Sequence, residues 1–139
     1  KQYFRNINSN DITLKNIRKK IIEIRESKLP DPKILGNCGS FFKNPSLDSQ
    51  SFNNLKKKYP DIVGYKNSNK IKISAAWLIE TCGWKGYKKN NIGVFKNHAL
   101  VLVNYGSNNG EKILKLSEKI KNSVKERFNI TLEKEVNVF

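Results

Sequence analysis

Apolar residues recur at spacings of three and four from Leu14 through Ile17 and Ile21 to Ile24. That period predicts an amphipathic helix over about residues 13–26. "KLPDPK" then ends it, because two prolines forbid a continued helix and favour extended backbone. The next stretch, "GNCGSFFKNP", reads as a loop between elements. "SQSFNNLKKK" reads as a short helix anchored by Phe52 and Leu55, and "YPDIVGYKNSNK" as irregular chain. "SAAWLIETCG" is a compact helix, with Ser74 able to cap its start and Gly83 its end. "GWKGYKKNNIG" is a turn region punctuated by glycine. "HALVLVNYG" is a buried strand, apolar without a break from Ala99 to Val103. "SNNG" leads into the longest helix, about residues 110–128, with Ile113, Leu116, Ile120 and Val124 on one face. Glu111 near its start and Lys121, Lys125 and Arg127 near its end suit the helix dipole.

The chain closes on "TLEKEVNVF", which predicts a final strand. Alternation puts Lys134, Val136 and Val138 on one face and Glu133, Glu135 and Asn137 on the other. Residues 1–12 are polar without a clear period and read as a tail or linker remnant. Residues 13–139 form one domain. Strands are too few for a doubly wound sheet, so the fold class is α+β, with helices packed on a small mixed or antiparallel sheet.

Length agrees, since 139 residues suit one domain. The first residue is Lys1 and no Met occurs anywhere, which suggests a piece of a longer polypeptide. No apolar run approaches the ~20 residues of a membrane span, and no signal-peptide pattern opens the chain. The formal net charge of +15 raises the question of nucleic acid. Arginine, the side chain favoured for bidentate base and phosphate contacts, occurs only at Arg5, Arg18, Arg25 and Arg127. Abundant Lys, Asn and Ile point instead to an AT-rich coding bias and solvated faces. A basic nucleic-acid-binding module would need lysines interleaved with aromatic residues on one face, and no such stripe is present. Two cysteines, Cys38 and Cys82, without a Cys-x-x-Cys and with a single histidine, give no zinc site. Free thiols in a reducing compartment fit them best, and a disulfide stays open.

Three residues could carry chemistry, and each also has a plain structural reading. Ser40 follows Gly39 and is either a turn hydroxyl or a placed donor, with Phe41 and Phe42 as core anchors. Neither Ser-x-x-Lys nor Gly-x-Ser-x-Gly is present, so activated-serine hydrolysis is unsupported. Glu135 is either a solvated carboxylate or a group set against an apolar background. His98, the only histidine, immediately precedes the buried strand and suits a structural role equally well.

The order of the segments changes the picture. "KLPDPKILGNCGSFFKNP", "SAAWLIETCGWKGY", "HALVLVNYG" and "LEKEV", in that order, closely resemble the C-terminal domain of UDP-N-acetylenolpyruvoylglucosamine reductase over about residues 13–139. The resemblance implies a flavoenzyme of the bacterial cytoplasm that makes UDP-N-acetylmuramate for peptidoglycan. In that chemistry NADPH reduces FAD, the reduced flavin gives hydride to the enolpyruvyl methylene carbon, and the neighbouring carbon takes a proton. The family's proton donor matches Ser40. Its catalytic glutamate, in an "LEPEV" segment, matches Glu135. Substrate contacts match Lys28 and Asn44, and His98 occupies a substrate-touching position whose residue varies among relatives. Beside an enolate and a carboxylate, a glutamate must be protonated or share a cation; the family supplies an arginine from its central domain, which this chain does not include.

The FAD-binding and central domains would be the partners of this chain, the UDP-sugar its ligand, and tightly held FAD is not expected on it alone. One departure stands out: relatives carry a "GGAAV"-like turn where this chain reads "NNIGV", which puts the local loop geometry and substrate affinity in question. The remaining alternative is a sugar-nucleotide-binding domain that no longer catalyses; Ser40, Glu135, Lys28 and Asn44 together argue against it.

Overall fold

The computed structural model describes residues 12–107 and 109–138. The predicted tail lies almost wholly outside these residues. Among the described residues, which also form the seven strands below, there are four helices: α1 (Leu14–Lys28), α2 (Ser49–Lys58), α3 (Ala75–Thr81) and α4 (Glu111–Phe128). Seven short strands are formed: β1 (Gly36–Ser40), β2 (Ser46–Leu47), β3 (Gly64–Asn67), β4 (Lys70–Ile73), β5 (Lys88–Lys89), β6 (Ile92–Val94) and β7 (Val101–Asn104). They make two antiparallel sheets, ordered β1-β7-β6-β5 and β2-β4-β3. The architecture is α+β, as the pattern predicts.

Local signals set most helix ends. Thr13, Asp48 and Ser74 each accept a hydrogen bond from the amide three residues on, at 3.2, 2.8 and 3.2 Å. These bonds satisfy amides that helix starts leave without intrahelical partners. Asn129, at φ 56°, ends α4. The predicted face of α4 does meet the core: Leu116, Ile120, Val124 and Phe128 are buried and Ile113 is partly so. They pack with Val94 and Leu102 of the larger sheet and with Leu78 and Ile79 of α3.

Four expectations need correction. "GNCGS" is not loop but strand β1, made extended by its pairing with β7. "YPDIVGYKNSNK" contains β3 and the start of a β3–β4 hairpin. The glycine-punctuated region holds the β5–β6 hairpin, in which Lys89 pairs with Ile92 around Asn90 and Asn91. Both asparagines have positive φ, 52° and 59°, as a two-residue hairpin turn of the favoured mirror-image type requires. Asparagine tolerates that region better than most residues, so Asn-Asn closes a tight turn here. The closing segment is not a strand of either sheet; among the described residues it forms one antiparallel bridge, Phe42 with Lys134.

The stripe on α1 has the predicted period but does not meet the core. No residue of this helix is buried, and Leu14 and Ile21 are 87% and 50% exposed. No helix among the described residues is long and apolar enough to cross a membrane.

Candidate active-site lobe

The site is built around one irregularity in β1. Asn37 pairs with Val103 and Ser40 with Val101, so β1 spends one residue more than β7 over the same stretch. That extra residue makes a β-bulge, and Gly39 sits in it at φ +73°. A side chain built on Gly39 would meet nothing within 4 Å. Glycine is needed there for the left-handed backbone and not for space. The bulge re-aims the chain immediately before Ser40.

Asn37 holds the bulge. Its Oδ1 accepts from the Gly39 amide at 3.0 Å, while its Nδ2 donates to the carbonyls of Pro30 and Leu35 at 3.1 and 2.8 Å. One side chain thus ties the "LPDPKIL" loop, which begins just after Lys28, to the backbone just before Ser40. Pattern reading missed this residue, although an asparagine two positions before a left-handed glycine is a recognisable turn signature.

Ser40 is partly buried, and its hydroxyl makes no hydrogen bond with any described residue. The two phenylalanines that follow are fully inside, 2% and 1% exposed, with ring centroids 5.2 Å apart at 63°. Phe41 anchors two neighbours through its backbone. Its amide donates to the Leu100 carbonyl at 2.8 Å, and its carbonyl accepts from the Glu135 amide at 2.9 Å. A second bond, Lys43 amide to Glu133 carbonyl at 2.9 Å, completes the pairing around Phe42 and Lys134. Glu135 therefore lies beside Phe41, one residue from Ser40, although it is far away in sequence.

Alternation in the closing segment is as predicted up to Val136. Leu132 is buried, Lys134 and Val136 are partly buried, and Glu133, Glu135 and Asn137 are exposed. Val138 departs from it and is 52% exposed. Lys134 reaches Glu118 of α4 at 2.8 Å, while the Glu135 carboxylate has no ion-pair partner among the described residues. A cleft of about 610 Å³ opens next to this pairing. Cys38, Phe41, Leu102, Leu114 and Val136 help to line it, so it borders Phe41 and Val136, the residues that follow Ser40 and Glu135, without including either of those two.

His98 sits in the turn before β7, the turn that also presents the Leu100 carbonyl to Phe41. Its Nδ1 accepts from the Leu100 amide at 3.3 Å, which leaves the proton of the neutral ring on Nε2. Burial pushes its pKa down, and the positive charges of Lys28 and Lys85 push it further, against a smaller opposite effect of Glu80. Lys28, exposed at the end of α1, is thus electrically coupled to His98.

Asn44 stands further along the extended segment. Its Oδ1 accepts from the Ala75 amide at 2.9 Å and so helps to cap α3, which leaves the amide Nδ2 as its outward donor. Backbone bonds thus bring the segments of Ser40, Glu135 and His98 together around Phe41, while Lys28 precedes the loop that Asn37 ties to β1 and Asn44 sits against the start of α3. Cys38 and Cys82 are free thiols. Among the described residues, no three His, Cys, Asp or Glu side chains gather as a metal site would need.

The fold and this arrangement define an α+β lobe that presents a hydroxyl, a carboxylate and a neutral imidazole from three separate segments. The sequence profile of the family "UDP-N-acetylenolpyruvoylglucosamine reductase, C-terminal domain" matches residues 31–139, and the chain belongs to that family. Proteins named UDP-N-acetylenolpyruvoylglucosamine reductase are similar to it along most of its length. That of Flavobacterium johnsoniae is 49% identical over 132 residues, covering 94% of this chain and 39% of the relative. That of Porphyromonas gingivalis is 47% identical over 125 residues, covering 89% and 37%. That of Pseudomonas savastanoi pv. phaseolicola is 45% identical over 125 residues, with the same coverage. The chain thus spans about two fifths of the length of these curated relatives.

Proposed function

We propose that this chain is the substrate-binding, proton-donating lobe of a reductase that converts UDP-N-acetylglucosamine enolpyruvate to UDP-N-acetylmuramate in the bacterial cytoplasm. FAD, reduced by NADPH and held by the rest of the polypeptide, would supply the hydride. One observation carries the reading: Ser40, whose hydroxyl has no hydrogen-bond partner among the described residues, lies one residue from the backbone bond that fixes Glu135. Such a hydroxyl beside a cleft fits a donor whose partner arrives with a ligand.

Ser40 donates the proton taken by the carbon next to the one that receives hydride. A serine hydroxyl is a weak acid, so it works only when held within hydrogen-bond reach of that carbon and resupplied with a proton. The bulge at Gly39 and the buried rings of Phe41 and Phe42 provide the holding. Glu135 steadies the enol from the neighbouring segment, protonated or with a cation brought by another domain, because two bare oxyanions side by side repel. Lys28 offers a point charge to the diphosphate, and Asn44 and His98 offer neutral N–H donors to substrate oxygens. The exposed stripe of α1 is a face on which the rest of the polypeptide can rest.

In the complete polypeptide, Lys28→Ala and Asn44→Ala should each weaken UDP-sugar binding about tenfold, the size of one lost charge-assisted or neutral hydrogen bond. Flavin reduction by NADPH should be unchanged in both. Titration calorimetry showing wild-type affinity in both variants would count against the lobe as the substrate's binding face.

A further inference from the structure

We propose that Asn37 is a positioning residue of this site: through its bonds to the bulge at Gly39 and to the loop after Lys28, it sets Ser40 and Lys28 relative to one another. The proposal rests on the reading of Ser40 as the proton donor. None of the contacts it uses belongs to the substrate.

The geometry is specific. The Asn37 acceptor is used on the Gly39 amide, two residues before Phe41 commits its own amide to Leu100. Its two donor hydrogens go to two different carbonyls of the preceding loop, Pro30 and Leu35. No other side chain joins these two stretches among the bonds of the described residues. The loop has its own turn, with the amides of Ile34 and Leu35 both donating to the Asp31 carbonyl. It is therefore a preformed unit, and Asn37 is its side-chain attachment to β1. An aspartate of the same size would keep the Gly39 bond but lose both donors, and would set a negative charge against two carbonyl oxygens. Placement errors of about 1 Å can cost on the order of 100-fold in a positioned step. Cutting this attachment therefore reaches both the proton donor and the diphosphate contact.

The test is a double-mutant cycle in the complete polypeptide, reading the substrate-dependent stage and the NADPH-dependent stage separately. Asn37→Ala and Asn37→Asp should slow the substrate-dependent stage by about 10–100-fold and leave flavin reduction by NADPH at its original rate. In a Ser40→Ala background the same changes should slow that stage by less than about threefold at saturating substrate, because the proton donor is gone and what is left, through Lys28, is read in substrate affinity. A second readout is independent of turnover. Amide hydrogen exchange across residues 29–35 should accelerate in Asn37→Asp while exchange in α4 does not, a pattern that general unfolding would not give. Equal effects of Asn37→Ala with and without Ser40 would overturn the proposal while sparing the assignment of Ser40. So would wild-type kinetics in Asn37→Asp together with unchanged exchange. If Ser40→Ala is itself silent, the reading of Ser40 fails, and this proposal with it.

Discussion

Phe42 is the position where packing and the candidate chemistry meet. Its ring is 1% exposed, it stacks edge-on against Phe41 at 5.2 Å, and its backbone is the bridge to Lys134. Burying a phenylalanine side chain stabilises by about 1.5–3 kcal/mol from transfer alone. The aromatic pair adds about 0.5–1.5 kcal/mol, and the cavity left by truncation brings Phe→Ala to about 3–5 kcal/mol. Against the ~5–15 kcal/mol of an ordinary domain, that is a large fraction. Urea unfolding followed by Trp77 and Trp84 fluorescence would read it. With a slope near 2 kcal/mol per molar, the Phe42→Ala midpoint should fall by about 2 M. The two bonds flanking the bridge, from the amides of Lys43 and Glu135, should lose exchange protection before α4 does. A loss under about 1 kcal/mol, or loss of protection in α4 first, would refute the view that Phe42 clamps the closing segment beside Ser40.

Two further outcomes follow from the same geometry. The single histidine makes an NMR titration unambiguous, and its midpoint should lie below 6.5, the ordinary value, moving up in Lys28→Ala. Because folded His98 binds its proton more weakly than unfolded His98, its share of stability is complete above pH 6.5 and is withdrawn as pH falls below it; a midpoint at or above 6.5 would contradict this. Gly93→Ala would place a methyl 2.3 Å from the Tyr87 carbonyl oxygen, a backbone atom that cannot swing away. It should cost about 1–3 kcal/mol in the same urea assay, and a neutral change would show that the β5–β6 hairpin is not packed as described.

How much was legible in the sequence differs by element, for physical reasons. α2 and α3 carry side-chain N-caps and apolar anchors, and α4 carries a long apolar face ended by Asn129, so local pattern suffices for all three. β1 was read as loop because two glycines, an asparagine and no β-branched residue give it no strand preference; pairing with β7 makes it extended. β3 gives no strand signal because nearly all its side chains are exposed, and β4 alternates lysine with Ile71 and Ile73 over only four residues, too short a run to stand out. "TLEKEVNVF" shows the reverse error, since alternation survives where, among the described residues, only one bridge forms. The α1 stripe shows that period predicts a helix face but not what covers it. The site was legible only through the family resemblance. From pattern alone Ser40 and Glu135 each have an ordinary reading, and Asn37, which ties a loop to the bulge of β1 by side-chain bonds, leaves no periodic trace at all.

The most direct test is stopped-flow spectroscopy of the complete polypeptide carrying Ser40→Ala, with the flavin absorbance followed through bleaching by NADPH and recovery on adding substrate. On the proposed reading the first stage uses neither Ser40 nor the enolpyruvyl carbon and should run at the wild-type rate. Positioned proton transfer contributes about 10²–10⁴-fold, so the second stage should slow by at least that order. Ser40→Cys should retain more of it, because a thiol can still donate. Recovery at wild-type speed in Ser40→Ala would contradict the account and leave Ser40 a plain turn residue beside two buried rings.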